Sequence, residues 1–208
     1  MLWFDLFSVL KPIYVSLGQM KSSTRKQEIL TVAARLFKEK GYKAVSMRDI
    51  AQAMDIKAAS LYNHIKNKQE ILATIILEVA EEFTRGMSAV IAEESRPIQK
   101  IEKIVEKHID ITVRYPNGLA ALNNDWMHLE NEDLSAVVKM REDYEENFRS
   151  IIKQGILEKE IKPRHPEVIL FSMLSTLRTM YLWYRKRDAM EISTLKRDTL
   201  AVLLKGIV

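Results

Sequence analysis

Apolar residues return every three or four positions along almost the whole chain, and no segment shows the alternation of a half-buried strand. Over residues 24–40 the stripe is Ile29, Ala33, Leu36 and Phe37, closed by Gly41 as a C-terminal stop. Ser46 and Asp49 have capping-box spacing and predict a short helix over 47–54. Asp55, Ile56 and Lys57 form a turn, and a second short helix comes next over 58–65 with Leu61 and Ile65 inward. Asn67 and Glu70 form another capping pair. They start a long helix whose stripe is Leu72, Ile75, Ile76, Val79, Phe83, Met87 and Val90 and whose end Pro97 marks. Further helices are predicted over 97–115, 118–130, 132–158, 166–186 and 192–206, with Tyr115-Pro116-Asn117-Gly118 stopping the first of them. The expected fold class is all-α.

Residues 168–184 are apolar almost all round, which predicts a helix buried on more than one side. Membrane insertion is disfavoured by Arg178, Ser172, Ser175 and Thr176 within so short a run. Burial against a second copy fits better. Leu177, Tyr184, Leu195, Leu200 and Leu203 are the candidate dimer residues, two helices from each subunit making a four-helix bundle.

Composition narrows the class. Hydrophobic residues are 47% and charged residues 29% of 208, as in a folded soluble protein rather than a disordered one. With no cysteine, disulfide frameworks and cysteine-based metal sites are excluded, and a reducing cytoplasm is the expected compartment. Six glycines and five prolines are too few turn residues for a sandwich or barrel. The net charge of +4 is unevenly spread, because residues 20–70 carry eleven Lys/Arg against five Asp/Glu. A basic excess on one small module is the electrostatic footprint of phosphate binding.

Two short helices joined by a tight turn, the second presenting small, hydroxyl, amide and aromatic side chains, match a helix-turn-helix that enters a DNA groove. The residues Ile29, Ala33, Leu36, Phe37, Gly41-Tyr42, Ser46-Met47-Arg48-Asp49-Ile50-Ala51, Leu61-Tyr62-Asn63-His64-Ile65, Lys68, Ile71 and Leu72 occur in the order of the TetR family of bacterial transcriptional regulators, which the chain resembles here. The chain departs from the family pattern at Asp55, where a small residue or glycine is usual, at Ile65 in place of Phe, and at Lys57 in place of Ser or Thr. The resemblance implies that Tyr62 and His64 bond phosphates and that Lys68 adds another phosphate contact, helped by its helix dipole. It implies that Ser46 caps its helix and touches a phosphate, and that Lys57, Ala58, Ala59, Ser60 and Asn63 face the groove floor. It also implies a homodimer on a near-palindromic operator, with repression as the family's usual mode.

Residues 71–208 then form a ligand-binding and dimerisation domain after a DNA-binding domain over 20–70. Phe83, Met87, Trp126, Met127, Tyr144, Phe148, Met173, Arg178 and Tyr181 are the candidate pocket residues for an apolar effector, although at helical spacing such residues equally make plain core. Asp125-Trp126-Met127-His128-Leu129-Glu130, Arg141-Glu142-Asp143-Tyr144 and Tyr181-Leu182-Trp183-Tyr184-Arg185 resemble the acyl-CoA-responsive, FadR-type branch of that family. That implies an acyl chain among the apolar residues and an anionic CoA portion near Arg178 or the Arg185-Lys186-Arg187 cluster.

Residues 1–19 differ in character from the rest of the chain, and Met20 looks like a working start, so an extension upstream of it is expected. No HExxH, GxSxG, P-loop or GxGxxG pattern points to an enzyme. Asp125 and His128 are two ligands at most, so no metal site and no cofactor are expected. The rival reading is a helical interaction or membrane-associated protein without sequence-specific DNA binding.

Overall fold

The structure, a computed structural model, describes residues 24–184 and 190–208. The extension over 1–19, the start at Met20 and the Arg185-Lys186-Arg187 cluster lie outside the described residues. Nine α-helices and no strand occur among the described residues. They are α1 (Arg25–Lys40), α2 (Met47–Ala53), α3 (Ala58–Leu61), α4 (Lys68–Ala92), α5 (Pro97–Arg114), α6 (Pro116–Asn124), α7 (Asn131–Leu157), α8 (Pro166–Thr179) and α9 (Ile192–Lys205). Short 3-10 turns cover Tyr42–Ala44, Trp126–His128 and Met180–Leu182.

Local chemistry sets the ends of these helices. The Ser46 hydroxyl accepts the Asp49 N–H at 3.2 Å, and the Asp49 carboxylate takes the Ser46 N–H at 2.7 Å, completing the capping box of α2. Asn67 caps α4 by accepting the Glu70 N–H at 2.8 Å. Gly41 ends α1 at φ 83°, a conformation that a side chain would oppose. Two expectations shift. The stop at 115–118 shrinks to Tyr115 alone, because Pro116 sits in the first turn of α6, where its missing N–H costs nothing. The helix expected over 118–130 ends at Asn124, and the one expected over 166–186 ends at Thr179; each gives way to a 3-10 turn.

The helix α4, 25 residues long, is the axis. Its first half belongs to a core formed by α1 to α3, where Ile71, Leu72, Ile75 and Ile76 are buried with Ile29, Phe37, Ile50 and Leu61. Each such side chain contributes about 1.5–3 kcal/mol by leaving water. The same cluster takes in Ala121, Leu129 and Val137, so the apolar core runs across residue 70 and binds the head to α6 and α7. Gly118 lets α6 lie close on α4, since a Cβ there would meet the Val79 Cγ2 at 2.8 Å. The second half of α4 carries Met87 and Val90 into another cluster with Ile101, Phe148, Ile152 and Met173.

The apolar helix α8 buries Ile169, Leu170, Met173, Leu174 and Leu177 inside its own chain. Its other face leaves Val168 60% and Phe171 74% exposed, and Leu182, Trp183 and Val202 are exposed apolar residues as well. Among the described residues no helix is long and apolar enough to cross a membrane.

Two turns close without glycine. After α2, Ile56 N–H reaches the Ala51 carbonyl at 3.0 Å and Asp55 N–H the Gln52 carbonyl at 3.1 Å, with Asp55 at φ 54°. After α7, Glu160 N–H reaches the Gly155 carbonyl at 2.9 Å and Lys159 N–H the Ile156 carbonyl at 3.1 Å, with Lys159 at φ 62°. Both are Schellman closures, whose left-handed residue is normally glycine. We expect Lys159→Gly to raise the unfolding free energy by about 1 kcal/mol, and Asp55→Gly by less, because aspartate tolerates this region better. A rise in the urea midpoint at unchanged slope checks both.

Candidate nucleic-acid interface and ligand cavity

Helix α3 stands clear of the body. Lys57, Ala59, Ser60, Tyr62, Asn63 and His64 are exposed together, while Leu61 and Ile65 anchor the element from behind in the head core. Tyr62 is 56% exposed, so it projects rather than packing as core. Only Ala58–Leu61 has α-helical bonding, and the chain then turns through the Leu61 carbonyl, which accepts the His64 and Ile65 N–H groups at 2.9 and 3.0 Å. Ala58 is half-buried against the head core, and Ser46 is exposed at the start of α2. Arg48 and Lys43 are exposed as well.

Lys68 departs from the expectation of a phosphate contact. Its ammonium turns inward and donates to the carbonyls of Tyr42 at 2.9 Å and Val45 at 2.7 Å. It also lies 4.2 Å from the centroid of the Tyr42 ring. Burial lowers its pKa from the ordinary value. The residue thus ties the root of α4 to the segment that leads into α2.

A cavity of about 550 Å³ lies between α4, α5, α6 and α7 and is largely apolar, a size and lining suited to a small organic ligand. Of the candidate pocket residues, Phe83, Trp126, Tyr144 and Arg178 line it. The others do not. Met87, Phe148 and Met173 are buried in the cluster beneath. Tyr181 packs with Val79 and Leu119, its hydroxyl paired with Asn124. Met127 points outward at 57% exposure. The dimer candidates Leu177 and Leu195 are likewise buried in their own chain against Val105 and Ile109, out of a partner's reach. Tyr184, Leu200 and Leu203 are half-buried on the same cluster.

The cavity has a polar end, where the candidate Arg178 meets Glu145 and where His108 stands, two residues outside the sequence candidates. Glu145 Oε1 accepts from Arg178 at 2.7 Å and from Arg141 at 3.2 Å, so two guanidinium groups share one carboxylate oxygen. Arg141 also lies over the Trp126 ring at 5.7 Å. The signal for these residues was present in the pattern: Arg141 and Glu145 interrupt the stripe that Val137 and Phe148 mark on α7. His108 stands against Phe83 and Tyr144, with ring centroids 4.6 and 5.6 Å away. Its Nε2 is buried without a hydrogen-bond partner. Burial, with the Arg178 charge beside it, pulls its pKa from 6.5 down to about 3. No group of three or more potential metal ligands occurs among the described residues.

The C-terminal part of the chain, residues 94–207, matches the family model for a tetracyclin repressor-like C-terminal domain. Residues 29–75 match the model for bacterial regulatory proteins of the tetR family. The chain is 23% identical over 187 residues to the HTH-type transcriptional repressor KstR2 of Rhodococcus jostii (strain RHA1), covering 89% of this chain and 92% of that protein. Among solved structures, the ketosteroid transcriptional regulator KstR2 of Mycobacterium tuberculosis superposes with a TM-score of 0.84 at 20% identity, covering 92% of this chain and 97% of that one. AibR, solved in complex with isovaleryl coenzyme A and operator DNA, superposes with a TM-score of 0.74 at 23% identity, covering 86% and 97%.

The neutral His108 carries a pH signature. The unfolded chain takes up its proton near pH 6.5 and the folded chain only near 3, so stability falls as pH drops through that window. We expect His108→Leu to lose about 2 kcal/mol less than the parent between roughly pH 7 and pH 5, measured by urea unfolding.

Proposed function

The chain belongs to the TetR family of bacterial regulatory proteins, and from that premise we propose that it acts as a homodimeric transcriptional repressor, binding a near-palindromic operator and released by an apolar or acyl-CoA-like effector. The observation that carries this reading is the exposed face of Lys57, Ala59, Ser60, Tyr62, Asn63 and His64 on an element anchored from behind by Leu61 and Ile65. Alanine methyls there suit thymine methyls, Asn63 suits an adenine edge, and Tyr62 and His64 suit phosphates. One such short element reads few base pairs, so two copies about 34–36 Å apart are needed for a specific site. The exposed apolar side chains of Val168, Phe171, Leu182, Trp183 and Val202 on and around α8 and α9 support pairing of copies through these helices. With DNA as its partner, the chain works in the cytoplasm, as a regulator and not an enzyme.

The effector part of the reading rests on the cavity. Its volume of about 550 Å³ accommodates an acyl or small ring-containing group but not a whole coenzyme A, whose anionic portion would extend past the rim at Arg141 and Arg178. That chemistry agrees with the isovaleryl coenzyme A bound by AibR. Release requires that the ligand bind better to a state in which the two heads are wrongly spaced.

Titration of the protein against DNA from upstream of its own gene, at two salt concentrations and with a long-chain acyl-CoA, tests the reading. Selective, salt-sensitive binding that the acyl-CoA weakens is expected; non-selective binding there and in an unbiased DNA selection refutes the repressor. Asn63→Ala is expected to cost about 1–3 kcal/mol on the selected site and to relax preference at one position. Phe171→Glu is expected to give monomers in sedimentation and to lose selective binding, because one half-site alone is too short to hold.

A further inference from the structure

The 3-10 turn Trp126–His128 touches both the cavity and the head. Trp126 lines the cavity, with Arg141 over its ring. Two residues on, the His128 imidazole stacks on Tyr42 with centroids 5.6 Å apart and an interplanar angle of 23°. The His128 carbonyl accepts from Gln69 Nε2 at 2.7 Å, and Gln69 Oε1 accepts from the Tyr42 hydroxyl at 2.6 Å. Just before the turn, the buried Asp125 carboxylate sits near the Tyr42 backbone N–H, which offsets part of the pKa rise that its burial causes. Tyr42 meets Phe37 of α1 edge-on at 5.2 Å and lies beneath the Lys68 ammonium at the root of α4. Lys68 in turn holds the Val45 carbonyl, one residue before the cap of α2. One aromatic side chain of the head is thus gripped by a three-residue turn whose first residue is cavity wall.

We propose that this turn reads the occupancy of the cavity and passes it to the DNA-reading head through the His128–Tyr42 stack, with Gln69 and Lys68 carrying the displacement into α4 and α2. The inference rests on the reading of the cavity as the effector site. It differs from simple leverage by α4, whose Ala80 and Phe83 also line the cavity. A 3-10 turn is the more compliant route, because its hydrogen bonds are poorer than those of an α-helix. A ligand pressing on Trp126 has a soft element to move, whereas α4 is clamped by core along its length. His128 and Tyr42 are positioning residues on this account, acting on the head without touching ligand or DNA.

The test requires neither the natural effector nor its operator. Val138, on α7 at the cavity wall, is replaced by tryptophan so that an indole fills part of the void; Leu122→Trp, filling from α6, is run beside it. Amide hydrogen exchange is followed in the full chain over residues 42–49 and 66–72. Filling is expected to speed exchange in both segments by at least about fivefold, the low end of ordinary coupling between sites. In a His128→Ala background the response to filling is expected to vanish. In His128→Phe, which keeps a ring on Tyr42, it is expected to return. A response of equal size in His128→Ala overturns the relay, as does the absence of response to both filling variants in the parent. Hexadecanoyl-CoA added to the parent is read separately, by binding: its failure to bind removes the acyl-CoA reading and leaves the relay to be judged on the filling variants.

Discussion

One helix must satisfy two cores at once. The apolar face of α4 is buried beside α1 to α3 near its start and beside α5, α7 and α8 near its end, and the cavity opens on the stretch between. At 1.5 Å per residue its 25 residues span about 37 Å. A rod of that length cannot bend cheaply without breaking its hydrogen bonds, so a change at its middle is expressed as a rigid displacement at its end or not at all. The placement of the head and the shape of the cavity both depend on how the other helices pack on that rod.

Most of the helices were legible because their signals are local. Ser46 with Asp49, Asn67 with Glu70, and Gly41 each act through a hydrogen bond or a backbone angle that a few adjacent residues determine. The cavity was less legible, because an apolar stripe shows that a face is buried but not whether atoms or empty space lie against it. Phe83 and Phe148 have the same chemistry on the same kind of stripe; one borders the void and the other fills the core beneath. The polar members offered a better signal. Arg141, Glu145 and His108 lie on otherwise apolar faces, and a charged or imidazole group there implies a shared site rather than plain core. An all-round apolar helix and its terminal neighbour suggest a dimer face at Leu177 and Leu195, yet the side that closes the protomer has first claim on such residues.

The cavity wall also shows where stability has been given up. A buried imidazole with an unpaired nitrogen leaves hydrogen-bonding capacity unused in a low-dielectric place. An all-apolar lining would make a firmer protein. An arrangement kept short of satisfaction can gain from an occupant with matching polar groups, and that gain is what differential binding requires.

The turn between α2 and α3 has a broader consequence. It is closed by backbone groups, with Ile56 and Asp55 N–H bonded to the Ala51 and Gln52 carbonyls, and the element beyond it is held by Leu61 and Ile65 from inside. None of the side chains on its open face takes part in shaping it. Those positions are free to change without remodelling the scaffold, so a lineage can explore new target sequences one residue at a time while folding stays intact.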